Sequence, residues 1–175
     1  MDMTQPGLKE DKAFGQLLRS LTRELFQTET SANLHCKREA ERFKGTSAEA
    51  TFLAISRHAQ DVLSALPHLT GPRGLPVSAG GAAVGAMFSE ARYLLFDRLI
   101  RRERSYRGTL LGVRHGVDVM HLFLHLAEAA HDSELTDFCR SWLEVRTPLV
   151  ESLERELCWF AEHPKHAMQF TRSLH

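Results

Sequence analysis

The chain has 175 residues, with 43% hydrophobic and 25% charged residues, the balance of an ordinary globular domain and enough length to bury a core unaided. Lys/Arg and Asp/Glu number 22 each, so the net charge is zero, which argues against a uniformly basic nucleic-acid surface. Three cysteines without CxxC spacing (Cys36, Cys139 and Cys158) argue against a disulfide framework, and no apolar run reaches the length of a membrane span. The chain is therefore expected to be cytoplasmic with reduced thiols; residues 1–12 are polar and lack the apolar stretch of a secretion signal.

Residues 1–10 are expected to be loosely held, residues 11–163 to form one helical-bundle domain, and residues 164–175 to form a loosely held tail. Between Asp11 and Lys44, the residues Phe14, Leu18, Leu21, Leu25, Ala32, Cys36 and Phe43 recur at helical spacing and predict a long amphipathic helix. Gly45 ends it, and Thr46 with Glu49 three residues later reads as a capping box opening the next helix. So short a connection predicts antiparallel neighbours. The second helix, about Ser47 to Leu66, turns Phe52, Ile55, Ala59, Val62 and Leu66 inward and leaves His58 at the edge of that face. A Pro/Gly-rich crossover covers about 67–85, since Pro67, Pro72 and Pro76 oppose helix there.

A third helix is predicted from near Ala82, with Phe88, Ala91, Leu95 and Leu99 on one face and a break near Arg104–Tyr106. The segment from Ser105 to His131 combines a glycine ladder, Gly108, Gly112 and Gly116, with a polar stripe nearly opposite: Arg114, Asp118, His121, His125 and Glu128. Glycine costs about 1 kcal/mol relative to alanine inside a helix, so the ladder predicts a close packing seam and the stripe a solvent-facing or subunit-facing surface. The last helix, Ser133 to Phe160, buries Leu135, Cys139, Trp142, Leu153 and Phe160, and Pro148 is expected to kink or divide it. Period-two alternation is missing, so the fold class is all-α: an antiparallel bundle of four or five long helices.

His121 and His125, four residues apart with Asp118 and Glu128 one turn to either side, have the spacing of a zinc or iron ligand set. Glu128 and His131 repeat the Glu-x-x-His spacing of di-metal bundles. With ten histidines in the chain, such pairs also arise by chance, and a solvated or subunit-facing stripe is the competing reading. Glu29 lies on the apolar stripe of the first helix with Glu39 farther along. Burying an unpaired carboxylate is expensive, so Arg146, on the apolar stripe of the last helix, is the expected counterion.

The order of elements resembles the ferritin-like (rubrerythrin-like) superfamily: a long helix, a short turn, a second helix, a long connection, then a second pair. Locally the resemblance lies in Glu29 and in residues 52–63, FLAISRHAQDVL. It implies a metal-binding glutamate at Glu29 and a Glu-x-x-His motif ending at His58, but Ile55 stands where the bridging glutamate is expected. The resemblance therefore implies the bundle without an intact di-metal centre.

The arginines Arg98, Arg101, Arg102, Arg104 and Arg107 form a cluster able to hold an anion or an acidic partner. Residues 1–114 carry 17 Lys/Arg against 12 Asp/Glu and residues 115–175 carry 5 against 10, so opposite halves can attract one another or a second chain. The functional expectation is a non-catalytic binding or assembly module without a cofactor, forming a homodimer or joining another helical protein, with neither membrane nor nucleic acid as partner. The alternative is a divergent iron-, manganese- or zinc-dependent redox or hydrolytic bundle protein using Glu29, His58, Asp118, His121, His125 and Glu128.

Overall fold

The structure is a computed structural model that describes residues 6–75 and 100–171, with side chains from Lys12 onward. Among the described residues there are four long helices: α1 (Pro6–Arg42), α2 (Ser47–Thr70), α3 (Arg102–Ala129) and α4 (Ser133–Arg155). A 3₁₀ turn, Gly71–Arg73, follows α2, and two short helices, α5 (Cys158–Glu162) and α6 (Pro164–Ala167), follow α4. No strand occurs among the described residues, where a single bridge pairs Arg101 with Phe170. The helix predicted around Phe88, Ala91, Leu95 and Leu99, the crossover beyond Leu75, and Arg98 lie outside the described residues.

The all-α bundle expected from periodicity is what these helices form. α1 and α2 make one antiparallel hairpin, α3 and α4 the other, and the hairpins pack α1 on α3 and α2 on α4. Polar contacts fix the directions. Ser105 meets Glu39 and His115 meets Glu24, so α3 runs against α1. Arg73, just after α2, meets Asp132, and His58 meets Arg146, so α4 runs against α2. It follows that α2 and α3 point the same way.

Local chemistry sets the turns. Gly45 takes φ +81°, a conformation that costs an L side chain about 1–2 kcal/mol. The expected capping box does not form: the Glu49 carboxylate accepts from the N–H of Gly45, one residue before the Thr46 N-cap, at 2.6 Å, and the Thr46 hydroxyl donates back to the Phe43 carbonyl at 2.7 Å. At the other turn Asp132 caps α4 by accepting from the Leu135 N–H at 3.0 Å, and Arg73 forks onto the same carboxylate at 2.6 and 2.8 Å.

Several boundaries differ from expectation. Pro67 and Pro148 both sit inside helices, α2 reaching Thr70 and α4 running unbroken from Ser133 to Arg155. Both prolines are exposed, so the carbonyls they leave without an intrahelical donor face water, and packing on the opposite side holds the helix. The break expected near Arg104–Tyr106 falls earlier: Arg101 is extended (φ −72°, ψ 150°) and α3 begins at Arg102. The chain expected to be helical to Phe160 instead turns after Arg155. The tail expected to be loose is tied down through Thr171. Arg102 N–H donates to Gln169 O at 2.8 Å, Thr171 N–H donates to Ile100 O at 2.9 Å, and Ala167 is buried.

The core has two apolar clusters. One gathers Phe43, Phe52, Ile55, Tyr106 and Phe160 near the α1–α2 turn, with Phe43, Tyr106 and Phe160 meeting edge to face. The other gathers Leu25, Leu66, Phe123, Leu135 and Trp142. Between them lies one polar layer.

Candidate functional site

That layer is built from three helices. Glu29 falls between Leu25 and Ala32 on the buried stripe of α1, and Arg146 falls between Trp142 and Val150 on that of α4. The periodicity that buries their neighbours carries both charges inside. They meet there: Arg146 Nη2 donates to Glu29 Oε2 at 2.7 Å, with side chains 1% and 0% exposed. From α2, half-buried His58 offers Nδ1 to the Arg146 Nε–H at 3.2 Å. The guanidinium carbon lies 4.8 Å from the Trp142 ring centroid, a cation–π contact.

A pair this deep owes its stability to geometry, because desolvating two ions costs several kcal/mol each. Burial raises the pKa of the Glu29 carboxyl, and the charge and hydrogen bond of Arg146 oppose that rise. His58 is lowered to about 4, first by burial and then by the nearby guanidinium. The imidazole is thus neutral at physiological pH, with its proton on Nε2 while Nδ1 accepts from Arg146. The Trp142 side chain also faces the Glu29 carboxyl and, with Arg146, opposes the rise in its pKa. Cys36, one further buried position of α1, is pushed up to about 12 by burial, which makes it a neutral thiol.

The sequence-predicted ligands therefore divide. Glu29 and His58 are brought together, but around a guanidinium: the facing lone pairs, Oε2 and Nδ1, are both engaged by Arg146. Asp118, His121, His125 and Glu128 lie exposed on one side of α3. There His125 Nδ1 is 3.6 Å from Glu128 Oε2, and Glu128 accepts from Arg140 at 2.8 Å. His131, expected to extend that set, sits just past the helix end at φ +55°. Among the described residues no three His, Cys, Asp or Glu side chains converge on one point.

The glycine ladder is corrected as well. Only Gly116 is a packing position, where a Cβ would sit 3.8 Å from Thr28 Cβ and 3.9 Å from the Trp142 ring. Gly108 and Gly112 are exposed, with nothing among the described residues within 4 Å of where a Cβ would be. They open instead onto a groove of about 990 Å³ between α1 and the first turns of α3.

Three of the arginines singled out in sequence, Arg101, Arg104 and Arg107, line this groove, joined from α1 by Arg38 and Arg42. Arg102 does not line it. Leu111 (70% exposed) and Phe170 (56%) add apolar surface. Glu39 is buried at its edge, where it accepts from Ser105 Oγ at 2.6 Å and pairs with Arg42. Sequence reasoning missed Arg38 and Arg42, although their spacing of four on one helix was a legible signal. No family model, curated protein or solved structure matches the chain.

Proposed function

We propose that this chain is a non-catalytic helical-bundle module for binding and assembly, on a ferritin-like layout in which the Arg146 guanidinium stands where a metal ion would be held. One observation carries the reading: a single buried guanidinium engages both Glu29 and His58, the two residues that the resemblance marks as ligands. A fixed positive charge at that point repels a second cation strongly at low effective dielectric. Ile55, in the position of the bridging glutamate, is fully buried in the apolar cluster and supplies no donor atom. The parallel course of α2 and α3 supports the same layout.

The assembly part of the reading rests on the groove, where five arginines lie beside exposed Leu111 and Phe170. Such a surface suits an acidic, partly apolar helix of a partner or of a second copy. Elemental analysis of protein purified from iron-, manganese- and zinc-supplemented cultures tests the core reading. Metal well below one ion per chain is expected. Stoichiometric metal sinks the proposal and restores the metal-dependent redox or hydrolytic alternative.

A further inference from the structure

The groove has a complement elsewhere on the same molecule. Along α3, Arg104, Gly108 and Leu111 fall at i, i+4 and i+7 and form one exposed stripe, beside Arg101. With no side chain at Gly108 or Gly112, another helix can come close to this backbone. Along the outer face of α4, Asp137, Glu144 and Glu151 recur every seven residues, all exposed, and Val145 (45% exposed) lies beside them. The neighbouring acids Glu134 and Glu154 are neutralised by Arg73 and Arg114. No ion pair is made by Asp137, Glu144 or Glu151, nor by Arg101 or Arg104, among the described residues.

Resting on the assembly reading above, we infer that the groove between α1 and α3 receives the outer face of α4 from a second copy of this chain. The charges match in sign: five arginines against Glu39 and Glu103 in the groove, and a stripe of carboxylates on α4. The lengths match as well. At about 1.5 Å per residue, Glu144 and Glu151 are about 10 Å apart and the groove wall from Arg101 to Gly112 is about 16 Å long. Two carboxylates therefore fit between the arginine-bearing walls, with Val145 against Leu111. Of the five arginines, Arg42 is paired with Glu39, Arg107 with Glu103, and Arg38 is engaged by another group of the chain, so Arg101 and Arg104 carry the charge offered to α4. Tyr106, the aromatic within the arginine run, is buried with its hydroxyl donating to Leu153 O at 2.8 Å, which leaves Phe170 as the exposed ring of the groove.

Sedimentation of the full chain is the test, with wild type, R101E/R104E, E144K/E151K and the quadruple variant carrying all four changes. All four positions are exposed, and unchanged circular dichroism at 222 nm verifies folding. Wild type is expected to self-associate and to weaken by about tenfold or more between about 50 and 500 mM NaCl, as screened charges must. Each double variant is expected to be monomeric, and the quadruple variant to recover association. Association retained in full by both double variants places the contact elsewhere and overturns the inference, leaving the assembly reading intact. Wild type that stays monomeric overturns both. Binding of duplex DNA by wild type that R101E/R104E loses, without self-association, assigns the groove to phosphate and also overturns the inference.

Discussion

Replacing Arg146 by methionine removes the cation but roughly keeps its volume, leaving Glu29, which is 0% exposed, without its counterion. Removing one partner of a buried ion pair costs about 3–5 kcal/mol, because the remaining charge stays desolvated and uncompensated. The Glu29 carboxyl, already raised by burial in the wild type, then rises further, since the group that opposed burial is gone. A carboxyl whose folded pKa lies above its unfolded value binds more protons in the native state. The variant therefore loses stability as pH rises through the window between those two values, at up to about 1.4 kcal/mol per unit. Urea unfolding followed at 222 nm, at pH 5 and pH 8, should show a larger deficit relative to wild type at pH 8. The double variant Glu29→Leu/Arg146→Met should recover most of the loss, because a packed apolar pair avoids the desolvation of both ions. A deficit below about 1 kcal/mol, one equal at the two pH values, or a double variant worse than R146M would refute this account of the polar layer.

Other expectations follow from the same geometry. His58, lowered to about 4 from its ordinary 6.5, binds fewer protons folded than unfolded, so its contribution is full above pH 6.5 and is lost as pH falls toward 4. For this half-buried group the effect, discounted for solvent screening, is about 1–2 kcal/mol, read as wild type minus His58→Gln across that range. Gly108→Ala and Gly112→Ala should each raise stability by about 1 kcal/mol in chemical denaturation, since each sits in open space on a helix. A loss at either would indicate a packing seam. A thiol reagent should label one cysteine rapidly, exposed Cys158, and reach Cys36 and Cys139 only on unfolding; fast labelling of all three would contradict their burial.

The arginines show where sequence reasoning reached and where it stopped. Arg146 was legible as a counterion because an apolar stripe that carries one charge demands another to meet it. That the same guanidinium also takes the lone pair of His58 depends on α2 and α4 lying side by side, which no spacing within either helix reports. Similarly, Arg101, Arg104 and Arg107 were visible as a cluster, but their groove exists only because α1 brings Arg38 and Arg42 to face them.

The amino-acid sequence by itself determined the helical class, the two hairpins and the buried faces, down to Ile55, Leu66 and Leu153 at 0% exposure, because periodicity and turn chemistry are local properties. Tertiary structure decided the rest. Pro67 and Pro148 are absorbed because the opposite helix face is packed, Gly108 and Gly112 are left open because no described helix covers them, and Glu29 and His58 close on a guanidinium. Each outcome depends on which helix face meets which, and that is a property of the assembled bundle.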